Sequence, residues 1–301
     1  MHRGAPGGGP LARVPAPALV IGGVVGLQSG AAVATTLIPL AGVPGTVALR
    51  LGFGALGLIT LARPRVRALP GRAAVLAVLV GAVLAVHHVC FYAAIHRLPL
   101  GVAVTLEFFG PLGVALVGSQ RRTDLVWAGL AAAGVAATAG LTTTTRINAV
   151  GVILALAAGA CWAAYIVIFP RLARTISRRD GLALATLAAA AFAVPYGIIA
   201  DGHRLLNGHT LLIGAIVAAL SDVIAYSLQS EALGRMTGRM FSVLSSTEPG
   251  VGAILGATAL DQSIAASQWA GMLAVTAASI GATRTHQAEP AHPRSDPPPD
   301  D

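Results

Sequence analysis

Apolar residues in this chain come in long runs, without the period-2 alternation of a half-buried strand or the one-sided stripe of a surface helix. Ten runs lie near residues 16–38, 43–62, 73–95, 99–119, 124–141, 148–170, 182–200, 210–233, 237–260 and 264–282. Each approaches the roughly 20 residues that a helix needs to cross hydrocarbon. Residues 1–15 are a Gly/Pro/Arg tail, and residues 284–301 (RTHQAEPAHPRSDPPPDD) are a proline-rich polar tail read as disordered. The pattern predicts an all-α polytopic membrane protein with ten transmembrane helices. Arg3 and Arg13 precede the first run, and Ala32-Val33-Ala34 has the small residues of a signal-peptide cleavage site. That first run is nonetheless long enough to span by itself, and it is read as the first helix.

Composition agrees with the pattern. The chain is 55% apolar and 11% charged, against about 25% charged in a soluble domain. The net charge of +8 does not point to nucleic acid, because the basic residues, all arginine, cluster in short gaps between apolar runs. With the N-terminus in the cytoplasm, sixteen arginines fall in cytoplasmic segments and only Arg97, Arg146 and Arg204 outside, with Arg50 inside a span. This asymmetry orients membrane proteins and predicts both termini inside. Cys90 and Cys161 lie in apolar runs and read as buried hydrophobes. His87, His88 and Cys90 lack a further ligand that would complete a metal site. No metal or cofactor is expected.

A shift of 138 residues lays IHRLPLGVAVTLEFFGP (95–111) on LGRMTGRMFSVLSSTEP (233–249), matching Arg97 with Arg235, Leu106 with Leu244 and Pro111 with Pro249. The expected units are two five-helix repeats, 16–141 and 148–282. Five spans per repeat is an odd number, so the repeats would be inverted, a transporter layout.

Two acids mark the candidate site. Glu107 and Glu248 lie inside predicted spans, where a carboxylate needs a partner or a wet cavity. Each is close to a proline, Pro111 or Pro249, which frees the carbonyl four residues back, that of Glu107 or Ser245. A desolvated carboxylate takes up a proton more readily. The two acids are therefore candidates for proton or amine binding, with a structural hydrogen bond as the alternative for each. Arg50 lies about 9 Å below the outer end of the second span and Glu107 about 10 Å deep from the same side, so the two could pair. Arg50 can otherwise take a substrate carboxylate through its fork or snorkel to headgroups. Asp222 falls near mid-depth of the eighth span, where it can bind an amine or, with Ser221, cap a locally broken helix. Tyr92 and Tyr226 are the preferred cavity liners among the polar residues inside spans, which also include Gln28, His88, Trp162, Tyr165 and Gln229. Glu231 reads as an interfacial partner of Arg235 or Arg239, Trp127 and Trp269 as belt anchors, and Pro170 and Pro195 as kinks or helix ends.

FYAAIHRLPLGVAVTLEFFGPLGVALVGSQRRTDLVW resembles the fourth-helix region of the threonine/homoserine exporter group, part of the drug/metabolite transporter superfamily built from EamA-type repeats. GACWAAYIVIFPRLA and AYSLQSEALGRMTGRMFSVLSSTEPGVGAILG are similar to its sixth helix and its eighth-to-ninth helix region, and the likeness runs over roughly residues 18–284. Where that group often carries Gly-Glu after the ninth helix, this chain has Leu260-Asp261-Gln262. The resemblance implies an inner-membrane secondary exporter of amino acids or related metabolites, driven by proton exchange. Its partners would be a small-molecule substrate, protons, the bilayer and, as a candidate, a second copy of the chain. A broader drug or metabolite exporter of the same fold is the nearest alternative, and a channel or non-transporting membrane protein a more distant one. No nucleotide-binding GxxxxGK[ST] motif occurs, and no nucleophile–base pair that would make the protein an enzyme is found.

Overall fold

The structure, a computed structural model, describes residues 14–64, 69–117, 122–138, 148–236 and 238–285. Almost all of both expected tails, and the threonine loop at 142–145, lie outside the described residues. The described secondary structure is helical: α1 (Ala16–Ala62), α2 (Gly71–Ile95), α3 (Leu100–Glu107), α4 (Phe109–Val117), α5 (Arg122–Thr138), α6 (Ala149–Ala173), α7 (Arg178–Leu205), α8 (Gly208–Ala218), a π-helical segment (Ala219–Ile224), α9 (Ala225–Leu233), α10 (Gly238–Ser245), α11 (Glu248–Ala259) and α12 (Ala266–Thr285). Helices α1, α2, α6 and α7, and the continuous stretch Gly208–Leu233, are long and apolar enough to cross a membrane. Large apolar side chains such as Val75, Ile153 and Ile199 face outward. In water that surface would be a liability; in lipid it is the expected one.

The first two predicted spans are joined without a loop. A straight 47-residue helix would be about 70 Å long, far more than a bilayer's ~30 Å core. Gly42 breaks it, with φ 66° and ψ 173°. Gly30 and Gly54, equally far from Gly42 on either side, both abut the π-helical segment, one on Ser221 and the other on Asp222. The chain therefore doubles back at Gly42 into two antiparallel limbs. Only glycine fits that corner, because a Cβ there would lie 2.5 Å from Asp201 Oδ2 as well as carrying a left-handed φ.

The fourth and ninth predicted spans are interrupted at the depth of the acids. Glu107 ends α3, Phe108 forms the step, and Pro111 lies in the first turn of α4. Gly159 of α6 packs on this step so closely that a Cβ on it would sit 2.5 Å from the Glu107 carbonyl oxygen, while Gly110 presses on the Gly159 backbone. Helix α10 ends at Ser245, and Glu248 and Pro249 open α11. The prolines thus fall where the ladder is already broken. Pro170 lies in the last turn of α6, and Pro195 lies inside α7, whose one non-helical residue is Asp201.

Helix α3 packs on α11, with Gly101 against Ala253. Gln262, just past α11, accepts the Leu100 backbone N–H through Oε1 at 2.9 Å. One side chain thereby caps an α3 donor left free by helix geometry and joins the two interrupted helices at one end of the bundle. The neighbouring Asp261 is exposed with φ 50°, so the acid that departs from the related pattern stays on the surface.

Candidate functional site

A cavity of about 710 Å³ lies between the helices. At one end its wall is made of helix termini: Leu61 and Ala62 of α1, Arg178 and Arg179 of α7, and Glu231 and Leu233 of α9. The innermost wall carries Gln28, Arg50, His87, Glu107 and Glu248. Toward the Gly42 corner the wall stops, and Leu37, Val47, Leu100 and Ala253 are fully buried core. The cavity is therefore a vestibule with a mouth at one end and packed side chains at the other.

Arg50 stands on the second limb of α1 and is held on two sides. Its Nε and Nη2 donate to the two carboxylate oxygens of Asp222 at 3.3 and 3.2 Å, and its Nη1 donates to the Tyr92 hydroxyl at 2.7 Å. The guanidinium also lies 5.6 Å from the centre of the Tyr92 ring, within cation–π range. Asp222 reaches it from the π-helical segment, a geometry frequent at functional sites. Gly54 makes room, since a Cβ there would fall 2.7 Å from Asp222 Oδ2. Arg50 lines the cavity, whereas Tyr92 and Asp222, which hold it, lie behind the wall.

The Arg50–Glu107 pair that similar depth allowed does not form. Asp222 occupies the Arg50 fork because α1 packs directly on the π-helical segment. Glu107 is met instead by His87 of α2, whose Nε2 contacts Glu107 Oε1. His87 stacks on Phe91 and meets Trp162 edge-on. His88, its neighbour, bonds through Nδ1 to the Leu84 carbonyl at 2.6 Å, which fixes a proton on that nitrogen and turns the ring along its own helix. Weighed in the sequence only as a metal ligand, His87 was missed for this contact; the available signal was a titratable base in an apolar run beside an intramembrane acid.

Glu248 differs from the other two acids. It is buried and lines the cavity, yet it makes no hydrogen bond or ion pair among the described residues. Glu107 lies within electrostatic reach of it. Tyr226 and Pro111 also line the cavity, and Pro249 does not. Glu231 pairs with Arg235 near the mouth, Nε to Oε1 at 3.0 Å. Cys90 and Cys161 are only partly buried, and Cys161 lines the cavity rather than filling core. The indole of Trp127 turns inward onto Gly281 of α12, with Nε1 buried, in place of a belt position.

Such a site offers two carboxylates, a positioned guanidinium and a base in a one-ended hollow. That equipment binds and releases a solute. The model of the EamA-like transporter family matches residues 149–284. The chain is 39% identical over 266 residues to the threonine/homoserine exporter RhtA of Salmonella typhimurium, covering 88% of this chain and 90% of that protein. It is 38% identical over 265 residues to the protein of the same name in Escherichia coli K12, covering 87% and 89%. A crystal structure of another protein superposes with a TM-score of 0.63 at 19% identity, covering 89% of this chain and 98% of that one; this likeness speaks for the fold alone. By its similarity to these exporters over most of its length, the chain belongs to the EamA-like transporter family.

Proposed function

We propose that this protein is a secondary-active exporter of amino acids of the threonine/homoserine kind, working by proton-coupled alternating access in a bacterial inner membrane. The reading rests above all on the one-ended cavity, whose inner wall carries Glu107 and Glu248, each beside a broken helix. Ten spans follow if the two limbs of α1, then α2, α3–α4, α5, α6, α7, α8–α9, α10–α11 and α12 each cross once. They divide into two inverted five-helix repeats, residues 16–141 and 148–282. The arginine asymmetry favours both termini inside, which turns the Leu61–Arg178–Leu233 mouth to the cytoplasm, where an exporter loads. Protons are the proposed coupling ion and a second copy of the chain a proposed partner in the bilayer.

Efflux of labelled threonine and homoserine from proteoliposomes, with and without a pH gradient, tests this. The wild type should saturate and show counterflow, which a pore would not. Glu107→Gln and Glu248→Gln should each slow gradient-driven efflux at least about tenfold, the loss of one charge-assisted contact. Wild-type rates in both variants would refute the site.

A broader drug or metabolite exporter is the second reading. The observation in its favour is the cavity itself, whose volume falls in the range of about 300–1,000 Å³ typical of drug-sized pockets, with Phe108, Trp162 and Tyr165 on its walls.

A further inference from the structure

Three buried acids face the middle of this bundle, and their partners differ. Asp222 is neutralised by Arg50, and Glu107 is met by His87. Glu248, 4% exposed, has no cation and no hydrogen-bond donor among the described residues. A buried carboxylate in that condition is costly unless it takes up a proton or a ligand completes it. Three more oxygens on the same cavity wall are also without partners: Gln28 Oε1, Ser221 Oγ and Ser245 Oγ. Gln28 and Ser221 are 3% and 0% exposed. All belong to one neighbourhood. Gln28 Oε1 would lie 3.3 Å from a Cβ on Gly252, one turn after Glu248. Ser245 precedes Glu248 across the helix break. Ser221 abuts Gly30, which lies on α1 just beyond Gln28.

Resting on the export reading above, we infer that Glu248, Gln28, Ser221 and Ser245 form the seat for the substrate's ammonium group, while Arg50 receives the substrate's carboxylate. An ammonium carries three N–H donors and no acceptor, and this wall supplies one anion with neutral oxygens around it. Arg50 uses three N–H groups on Asp222 and Tyr92 of the five that a guanidinium carries, and the remainder serve the cavity side. The π-helical segment sets the spacing. Ser221, in the ammonium seat, and Asp222, which holds Arg50, are consecutive residues, one packed on Gly30 and the other on Gly54. The two seats are therefore adjacent, which suits an α-amino acid, whose amine and carboxylate stand on neighbouring carbons. Glu107 with His87 is left as the proton-handling pair. A carboxyl serving only as a proton carrier would offer the three neutral oxygens a single O–H donor, against the three N–H donors of an ammonium.

The test is ligand binding to the full-length purified protein in detergent, read from the fluorescence of Trp162, which lines the cavity. The probes are L-threonine, its amine-free analogue 2,3-dihydroxybutanoate, and its carboxylate-free analogue threoninol. The wild type should prefer threonine to the amine-free acid by about ten- to a hundredfold, the worth of hydrogen bonds to a charged group. Glu248→Gln should bring that ratio to about twofold or less and leave the threonine-to-threoninol ratio unchanged. Glu248→Asp should restore most of it. Ser245→Ala should weaken threonine several-fold without touching the amine-free acid, and it decides the matter alone if Glu248→Gln does not fold. An undiminished amine preference in Glu248→Gln, or an unchanged ratio in Ser245→Ala, overturns the assignment. If threonine does not bind the wild type but threoninol binds in a Glu248-dependent way, the amino-acid reading fails and the ammonium seat stands. If neither binds, the seat fails as well.

Discussion

Removing either member of the Arg50–Asp222 pair should damage the protein more than removing both. Arg50→Met leaves Asp222 with neither of its two donors, behind the cavity wall and 3% exposed. Asp222→Leu leaves the guanidinium with Tyr92 as its one hydrogen-bond partner among the described residues. Breaking a buried pair from one side costs about 3–5 kcal/mol, because a charge is left uncompensated. The double variant buries no charge and orphans only the Tyr92 hydroxyl, a cost of about 1–3 kcal/mol. The single costs therefore sum to about 6–10 kcal/mol against about 1–3 for the double. Polar contacts between membrane helices are worth less than this arithmetic suggests, since chains unfolded in lipid also find partners. A coupling of at least about 2 kcal/mol should survive that discount. Equilibrium unfolding in mixed micelles, titrated with SDS and run on all four proteins, measures it. Additivity within about 0.5 kcal/mol would show that the fork is not an energetic unit and would sink the claim that the π-helical segment is tied to α1 through it.

Three other outcomes follow from the same geometry. Gly42→Ala should lower the yield of folded protein and cost at least about 1–2 kcal/mol for the left-handed backbone alone, before the crowding against Asp201; the SDS titration reads it. His87→Phe should slow gradient-driven efflux about tenfold, and adding Glu107→Gln should slow it little further, because the two side chains act as one pair; proteoliposome rates for the singles and the double decide this. In a background with Cys90 and Cys161 replaced by alanine, Ser230→Cys on the cavity wall near its mouth should react with an impermeant maleimide from the cytoplasmic side, and Asp261→Cys, exposed past α11, from the outer side. Labelling from the opposite faces would reverse the proposed orientation.

Much of the fold was legible because membrane helices announce themselves by run length, and each predicted run has helix within it. What the runs could not carry was the geometry of interruption. A loop was expected between the first two, but a single left-handed glycine turns the chain, and nothing in local hydropathy separates Gly42 from the other glycines. The breaks near Pro111 and Pro249 were visible through the missing N–H. The π-helical segment was legible only as a possible local break at Ser221 and Asp222, since a widened turn has no composition signature. At the site, Glu107, Glu248 and Arg50 stood out as charges in apolar runs, but depth counting cannot say which neighbour rotates toward which. Arg50 and Glu107 were matched by depth alone, and the packing of Gly54 on Asp222 sent the guanidinium elsewhere. His87 was overlooked because histidine is so often a metal ligand or a core residue.

The way charge is neutralised also separates the parts that stay fixed from those free to move. Arg50, Asp222 and Tyr92 bind the second limb of α1, the π-helical segment and α2 into one strut through three hydrogen bonds between charged or buried groups. Shifting one of those elements against another would expose a buried charge at a cost of several kcal/mol, so in the export reading this part turns as a body. The acids proposed to bind and release lie at interruptions, Glu107 at the end of α3 and Glu248 at the start of α11, where missing ladder bonds let half-helices pivot cheaply. At the closed end those half-helices are joined by the Gln262–Leu100 bond and by close packing of Gly101 on Ala253 and of Gly252 on Val104. The bond contributes about 1 kcal/mol, and opening this end also parts the buried Leu100 and Ala253 surfaces, so a bound substrate or proton has both to offset. Hinges beside the ligand groups, a rigid strut behind them and a far end closed by packing rather than by ion pairs are the mechanical requirements of a site that must face each side of the bilayer in turn.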